Sequence, residues 1–140
     1  MYKTETMRRN DAYIAAFERL LDTEGGAGTY EELRELSARV LEMRPPRYFV
    51  SQQRAQDVYK AHRCGHKLRP GLWEEFCEEV DRELNARPWL KAERAINFVL
   101  CFKRPSRYYM SRETAWRLIA KRMDRCLAFR RKGMRERKGA

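Results

Sequence analysis

The most chemically reactive cluster in the sequence is the group of histidines and cysteines that begins at His62. His62, Cys64 and His66 place three soft ligands within five residues, and the two histidines have the His-x3-His spacing of zinc sites. Structural zinc sites usually add a Cys-x2–4-Cys pair, and Cys77 is too far along the chain to form one. We therefore expect no metal and no cofactor, and we interpret this segment as the polar end of a helix.

Motifs for covalent or phosphoryl-transfer chemistry are missing from the sequence. It contains no glycine-rich phosphate loop and no Gly-x-Ser-x-Gly nucleophile elbow. The acidic residues between Glu74 and Glu83 have the spacing of a solvated helix face rather than that of a ligand set. A metal-dependent or nucleolytic enzyme would need a site that no spacing connects, so the sequence predicts a non-enzymatic protein.

Length and composition favour one intracellular domain. The chain has 140 residues and 36% charged residues, with 31 Lys and Arg against 20 Asp and Glu, giving a net charge of +11. It contains no apolar run of about 18 residues and no secretory signal at its start. We expect a cytoplasmic protein without membrane association, folded as a single domain over residues 1–131.

An internal repeat appears when the chain is shifted by sixty residues. The phrase Arg-Pro-x-Arg-Tyr-aromatic-x-Ser begins at Arg44 and again at Arg104, and six of the twelve positions from Arg44 to Ala55 are identical in the two copies. We infer two tandem units of about sixty residues, unit one over 10–66 and unit two over 70–131. The phrase resembles one found in small helical proteins of bacterial mobile elements, a resemblance of about eight residues per unit that implies no particular activity.

Helix signals predict an all-α fold of about six helices, three in each unit. Each unit reads as helix, helix, proline-broken link and helix, and we expect the two units to pack as one pseudo-twofold domain. The first helix is predicted to begin near Asn10, and the fifth to carry Pro88 in its first turn. The best start signals are Thr29 with Glu32, Ser51 and Ser111. Residues 132–140 are predicted to form a disordered basic tail.

Charge follows the repeat. Residues 1–40 and 71–102 carry net charges of −2 and −3, whereas residues 41–70 and 103–140 carry +5 and +11. Each unit therefore combines an acidic helix pair with a basic link and third helix. Clustered Lys and Arg bind polyphosphate backbones by releasing counterions, which makes nucleic acid, DNA or RNA, the leading expected partner.

The link with its flanking helices suggests a variant helix-turn-helix, present twice as a pseudo-dimer, although the link is longer than a standard turn. The arginines and tyrosines of the phrase are predicted to contact phosphates and bases, together with residues of the following helix and the tail. The predicted nucleic-acid contacts are Arg44, Arg47, Tyr48, Gln52, Arg54, Arg104, Arg107, Tyr108, Arg112, Arg117, Arg130, Arg131 and Lys132.

Two alternatives remain open at this point. In the first, the protein is an interaction module of a bacterial mobile element or phage that binds a partner protein, and its arginines only bond to exposed carbonyls or acidic helices. In the second, it is a small enzyme with a site that sequence spacing does not reveal. DNA or RNA preference, sequence specificity and oligomeric state are also open.

Overall fold

The computed structural model describes the backbone of residues 3–138 and the side chains of residues 3–125. Over this range the chain forms six helices and no strands, so the predicted all-α class is confirmed. The helices are α1 (Glu5–Thr23), α2 (Tyr30–Leu41), α3 (Gln52–Arg63), α4 (Leu72–Ala86), α5 (Ala92–Phe102) and α6 (Arg112–Lys138). We call residues 42–51 link one and residues 103–111 link two.

The predicted helix caps are present where the sequence placed them. The hydroxyls of Ser51 and Ser111 each accept a hydrogen bond from the backbone N–H three residues on, at 3.1 Å. Thr29 caps α2 in the same way, by accepting from the N–H of Glu32. The carboxylate of Glu32 accepts from the N–H of Gly28 rather than from that of Thr29, so the capping box is displaced by one residue.

Three helix boundaries differ from the prediction. Helix α1 begins at Glu5 instead of Asn10, because the Thr4 hydroxyl caps it by accepting from the N–H of Met7. Helix α5 begins at Ala92, and Pro88 lies in the turn before it. Helix α6 continues to Lys138, past the predicted start of a disordered tail at 132, since Arg, Lys, Met and Glu favour helix and one glycine costs only about 1 kcal/mol. Residues 139–140 of that tail lie outside the described residues.

The six helices pack as two groups of three, each with its own apolar core. Helices α1, α2 and α6 surround a core that includes Tyr13, Phe17, Val40 and Ile119. Helices α3, α4 and α5 surround a second core, whose main members are Tyr48, Tyr59, Phe76, Val80 and Val99.

The third helix of each sequence unit is exchanged between these groups. Helix α3 of unit one packs on α4 and α5, and α6 of unit two packs on α1 and α2. A link of about ten residues can span up to about 30 Å, which is long enough to carry each third helix away from its own helix pair. The arrangement is an exchange of equivalent elements of the kind known from domain-swapped dimers, here within a single chain. The pseudo-twofold relation itself stays a prediction.

Candidate nucleic-acid interface

The two links cross, and the first arginine of each repeated phrase binds the backbone of the other link. Arg44 donates from Nη2 to the carbonyl oxygen of Arg104 at 3.0 Å and from Nε to that of Pro105 at 3.3 Å. Arg104 donates in return to the carbonyl oxygens of Arg44 and Pro45, each at 2.8 Å. These two predicted phosphate contacts therefore each use two of their five N–H donors to hold the links together.

The tyrosines of the repeated phrase are not available to a nucleic acid. Tyr48 and Tyr108 are 1% and 2% exposed, and each enters the core of the group that receives its helix. Tyr48 packs edge-on against Phe76 at 5.3 Å between ring centroids, and Tyr108 packs edge-on against Tyr13 at 5.6 Å. The predicted stacking role is corrected, because both rings pack inside the cores and present no face to a base.

The second arginines of the two phrases face differently from the first. Arg47 holds Nη2 2.9 Å from Oε2 of Glu5 and lies over the ring of Phe49 at 4.4 Å. No donor meets that carboxylate oxygen with hydrogen-bond geometry, so the contact is an ion pair only. Arg107 is exposed and lies over the ring of Tyr109 at 5.6 Å. Within the described side chains, Arg107 has no acidic partner.

Arg47 and Arg107 border a cavity of about 50 Å³ between the crossing links. Arg9 of α1 also lines this cavity, so three arginines border it. The rest of its wall consists of equivalent positions of the two phrases, with additions from α1 and α4: Pro45 and Pro105, Phe49 and Tyr109, Tyr108, Thr6 and Leu72. The repeated phrase thus builds this cavity from both copies.

A polar cluster that sequence reasoning missed fixes link two to α4. Glu75 accepts hydrogen bonds from the N–H of Ser106 at 2.7 Å, from its hydroxyl at 2.9 Å, and from the hydroxyl of Tyr109. The position of Ser106 in the first phrase is occupied by Pro46, which has no N–H to donate. The difference between Ser106 and Pro46 could therefore have indicated a hydrogen bond that only link two can make.

The predicted helix-turn-helix between α2 and α3 does not form, since these two helices do not pack on each other. The predicted contacts at the start of α3 are exposed but engaged with the neighbouring helices. Gln52 donates from Nε2 to Oδ1 of Asn97 at 2.8 Å, and Arg54 lies over the ring of Trp73 at 5.9 Å. These side chains connect α3 to its exchanged partners.

Helix α6 contains more basic residues than any other described helix. Its 27 residues include eleven Lys and Arg against three acidic residues. Arg117, Lys121 and Arg125 recur every four residues and are all exposed. Arg112 is also exposed at its first turn, whereas the side chains of the predicted contacts Arg130, Arg131 and Lys132 lie outside the described part.

An aromatic contact between α2 and α6 was also missed. Trp116 packs edge-on against Tyr30 at 4.8 Å and receives the guanidinium of Arg34 at 5.4 Å from its ring. Tyr30 is 59% exposed, and a groove beside this contact extends to Arg112. Trp116 therefore lies at the junction of these two helices.

The histidine segment forms a hydrogen-bonded network rather than a gathered ligand set. Nε2 of His62 lies 2.9 Å from Oδ2 of Asp81, whose other oxygen accepts from the hydroxyl of Tyr59 at 2.7 Å. Burial alone would raise the pKa of Asp81, but these two hydrogen bonds hold it below its ordinary value. Among the described side chains, no three His, Cys, Asp or Glu residues converge as metal ligands.

None of the described helices has the length and apolar character needed to cross a membrane.

Comparisons with family models, with curated proteins and with solved structures found no match to this chain.

Proposed function

We propose that the protein binds nucleic acid through the cationic face of α6, with the exposed arginines near the link crossing extending that surface. The observation that carries the proposal is the concentration of charge on one helix. Helix α6 has eleven basic and three acidic residues, whereas α4 in the other group has six acidic and one basic. A surface divided in this way attracts a polyanion to one side of the molecule.

The exposed basic stripe of α6 is only weakly neutralised by protein carboxylates. Lys121 and Arg125 form no ion pair with a described side chain, and Arg117 meets Glu113 at 3.3 Å in a pair whose side chains are 73% and 84% exposed. Ion pairs this exposed contribute little and are readily exchanged for a phosphate. The stripe follows the helix axis in steps of about 6 Å, which suits contact with successive phosphates of a backbone.

This geometry supports backbone recognition more than reading of base edges. The candidate reading residues at the start of α3 are held by Asn97 and Trp73, and the two tyrosines are buried. Arginine and lysine contacts to phosphates give affinity that falls steeply with salt and depends little on sequence. We therefore expect binding of several nucleic-acid sequences with similar affinity.

The test is fluorescence anisotropy with labelled duplex DNA, single-stranded DNA and RNA at about 50 and 200 mM salt. The variant replaces Arg117, Lys121 and Arg125 by glutamine. A matched control removes the same charge elsewhere, by replacing the exposed residues Lys67, Lys91 and Arg94 by glutamine.

We expect the α6 variant to reduce the slope of log affinity against log salt by about 2 to 3, since each lost phosphate contact removes roughly 0.9. The control should leave that slope unchanged. Absence of binding at the lower salt concentration, or an equal loss in both variants, would overturn the assignment to α6.

Protein binding is the second candidate function, and exposed aromatic residues favour it. Trp89 is 79% exposed in the turn before α5, and Phe102 is 72% exposed at its end. Burying such rings against another protein would remove considerable apolar surface from water. If no nucleic acid binds at low salt, this function becomes the better account of the protein.

A further inference from the structure

We propose that the cavity between the crossing links is a binding site for a phosphate group, with Arg9, Arg47 and Arg107 as its ligands. This inference does not depend on nucleic-acid binding by α6, because the three arginines of the site belong to the links and α1. It is carried by three arginines that line one small cavity, two of which hold their guanidinium groups over aromatic rings of the same wall, Arg47 over Phe49 at 4.4 Å and Arg107 over Tyr109 at 5.6 Å. The chemistry of the site fits a compact tetrahedral oxyanion that accepts several charge-assisted hydrogen bonds.

Arg9 supplies the strongest argument for an external anion. It is half-buried, and its hydrogen bonds are with Oδ1 of the neighbouring Asn10, at 3.3 Å from Nε and 3.0 Å from Nη2. No described carboxylate pairs with it. Arginine stays protonated in proteins, so a guanidinium that is partly removed from water without a counter-charge is unfavourable. An anion in the cavity would supply that counter-charge.

The charge balance around the cavity is positive. Of the three arginines that line it, only Arg47 pairs with a described carboxylate, that of Glu5, which lies 2.9 Å from its Nη2 without hydrogen-bond geometry, and its Nη1 donates to the carbonyl oxygen of Tyr48 at 3.1 Å. A second carboxylate, that of Glu75, accepts a hydrogen bond from the hydroxyl of Tyr109, which also lines the cavity. Arg8 reaches the other oxygen of Glu5 only at 3.7 Å. Glu5 therefore acts as a partial internal counter-ion that a bound phosphate would have to displace or share.

Size and access fit a terminal phosphate. The cavity of about 50 Å³ exceeds several times the roughly 10–15 Å³ needed for one water molecule. Prolines and aromatic residues of the two links make up half of its lining residues, and so small a volume favours one compact group over a longer stretch of phosphodiester backbone. The ligand is thus a phosphate monoester or free phosphate. The same chemistry is present at the 5′ end of a nucleic acid and in inorganic phosphate.

The primary test is isothermal titration calorimetry of the full chain with inorganic phosphate, against chloride at matched ionic strength. We expect saturable phosphate binding that Arg107→Gln weakens by about tenfold, the loss of one charge-assisted hydrogen bond. Arg9→Gln should weaken it similarly, and Arg94→Gln, an exposed arginine of α5, should not change it. Glu5→Gln should strengthen binding several-fold, because it removes the competing carboxylate.

The Glu5 variant separates ligand binding from a structural role. If the arginines only stabilised the fold, losing the ion pair of Glu5 with Arg47 would not improve phosphate binding. Circular dichroism checks that each variant is folded, and exposed Arg107 is the position least able to disturb the fold. No saturable phosphate binding, or equal binding in Arg107→Gln and wild type, would overturn the site.

A second arm identifies the source of the phosphate. Oligonucleotides with a 5′-phosphate and with a 5′-hydroxyl are compared by anisotropy in wild type and Arg107→Gln. A preference for the 5′-phosphate that disappears in the variant assigns the site to nucleic-acid ends. Equal oligonucleotide affinities together with inorganic phosphate binding assign it to free phosphate. The α6 glutamine variant should retain phosphate binding, so failure of this site and failure of the proposed function give different results.

Discussion

The hydroxyl of Tyr48 is buried without a hydrogen-bond partner, and this gives a prediction of unusual sign. Removing it by Tyr48→Phe should stabilise the protein, because an unpaired buried polar group costs about 1–3 kcal/mol relative to one that is hydrated. Burial raises the pKa of Tyr48 well above its ordinary value, and the carboxylates of Glu75 and Glu79 raise it further. This environment opposes charge on the hydroxyl and supplies no hydrogen bond to it.

The expected gain is about 1 kcal/mol, the lower end of that range, because the smaller phenylalanine also loses some packing. At this chain length it corresponds to roughly 3 °C in melting temperature. The edge-on contact of the ring with Phe76 at 5.3 Å does not involve the hydroxyl and should persist. Urea unfolding followed by circular dichroism measures the change in the free energy of unfolding.

Tyr13→Phe is the matched control. Tyr13 is equally buried and also packs edge-on against another aromatic ring, but its hydroxyl donates to the carbonyl oxygen of Ser37 at 2.7 Å. Its removal should destabilise the protein by about 1 kcal/mol, the net value of one hydrogen bond. If Tyr48→Phe instead destabilises the protein as much as Tyr13→Phe does, the hydroxyl of Tyr48 has a partner and the reasoning is refuted.

Two further predictions concern the link crossing and the buried tyrosines. Arg44→Ala and Arg104→Ala should each destabilise the protein by about 1–3 kcal/mol in urea unfolding, because each removes two hydrogen bonds between the links. Lysine at either position should not restore stability, because its single ammonium group cannot reach two carbonyl oxygens as the planar guanidinium does. Full rescue by lysine would contradict this role of the two arginines. Burial raises the pKa of Tyr13 and of Tyr59 from about 10 to about 12. The unfolded chain therefore loses these two protons at lower pH than the folded chain, and the melting temperature should fall as the pH rises from about 10 to about 12. A constant melting temperature over that range would contradict this prediction.

Local features of the fold could be predicted because they depend on a few adjacent residues. Thr29, Ser51 and Ser111 each precede a helix and cap it by a hydrogen bond to the third residue on. The start of α1 was missed because Asn10 is as good a cap by type as Thr4, and nothing local decides between them. The six helices and the all-α class follow from such signals together with the apolar periodicity.

The exchange of α3 and α6 could not be predicted from the sequence. Periodicity identifies which face of a helix is apolar, but it does not say which other helices cover that face. Here the ambiguity is increased by the repeat, because the two helix pairs present apolar faces of the same kind. The deciding feature is the path of the links, and this depends on hydrogen bonds between residues about sixty positions apart.

The candidate site could be predicted only in part, because four arginines of one sequence pattern perform two different roles. Arg44 and Arg104 bond to main-chain carbonyls. Because every residue has such a carbonyl, the side chains of the partner link do not indicate this contact. The burial of Tyr48 and Tyr108 follows from the same crossing, since each link delivers its tyrosine to the opposite core. The repeat in the sequence shows that the phrase is important, but it does not show which of its residues stabilise the fold and which are exposed on the surface.

The division of roles within the phrase connects the fold to the proposed binding. The first arginine of each copy lies at the crossing and bonds to backbone carbonyls of the other link. Since every residue has a backbone carbonyl, this contact depends on the path of the backbone and not on the side chains of the other link. The second arginine, three residues later, falls beyond the crossing and borders the cavity. A chain that uses Arg44 and Arg104 to join its links therefore brings Arg47 and Arg107 to one cavity as a consequence. The link contacts of Arg44 and Arg104 and the phosphate binding proposed for Arg47 and Arg107 thus involve different members of the same phrase.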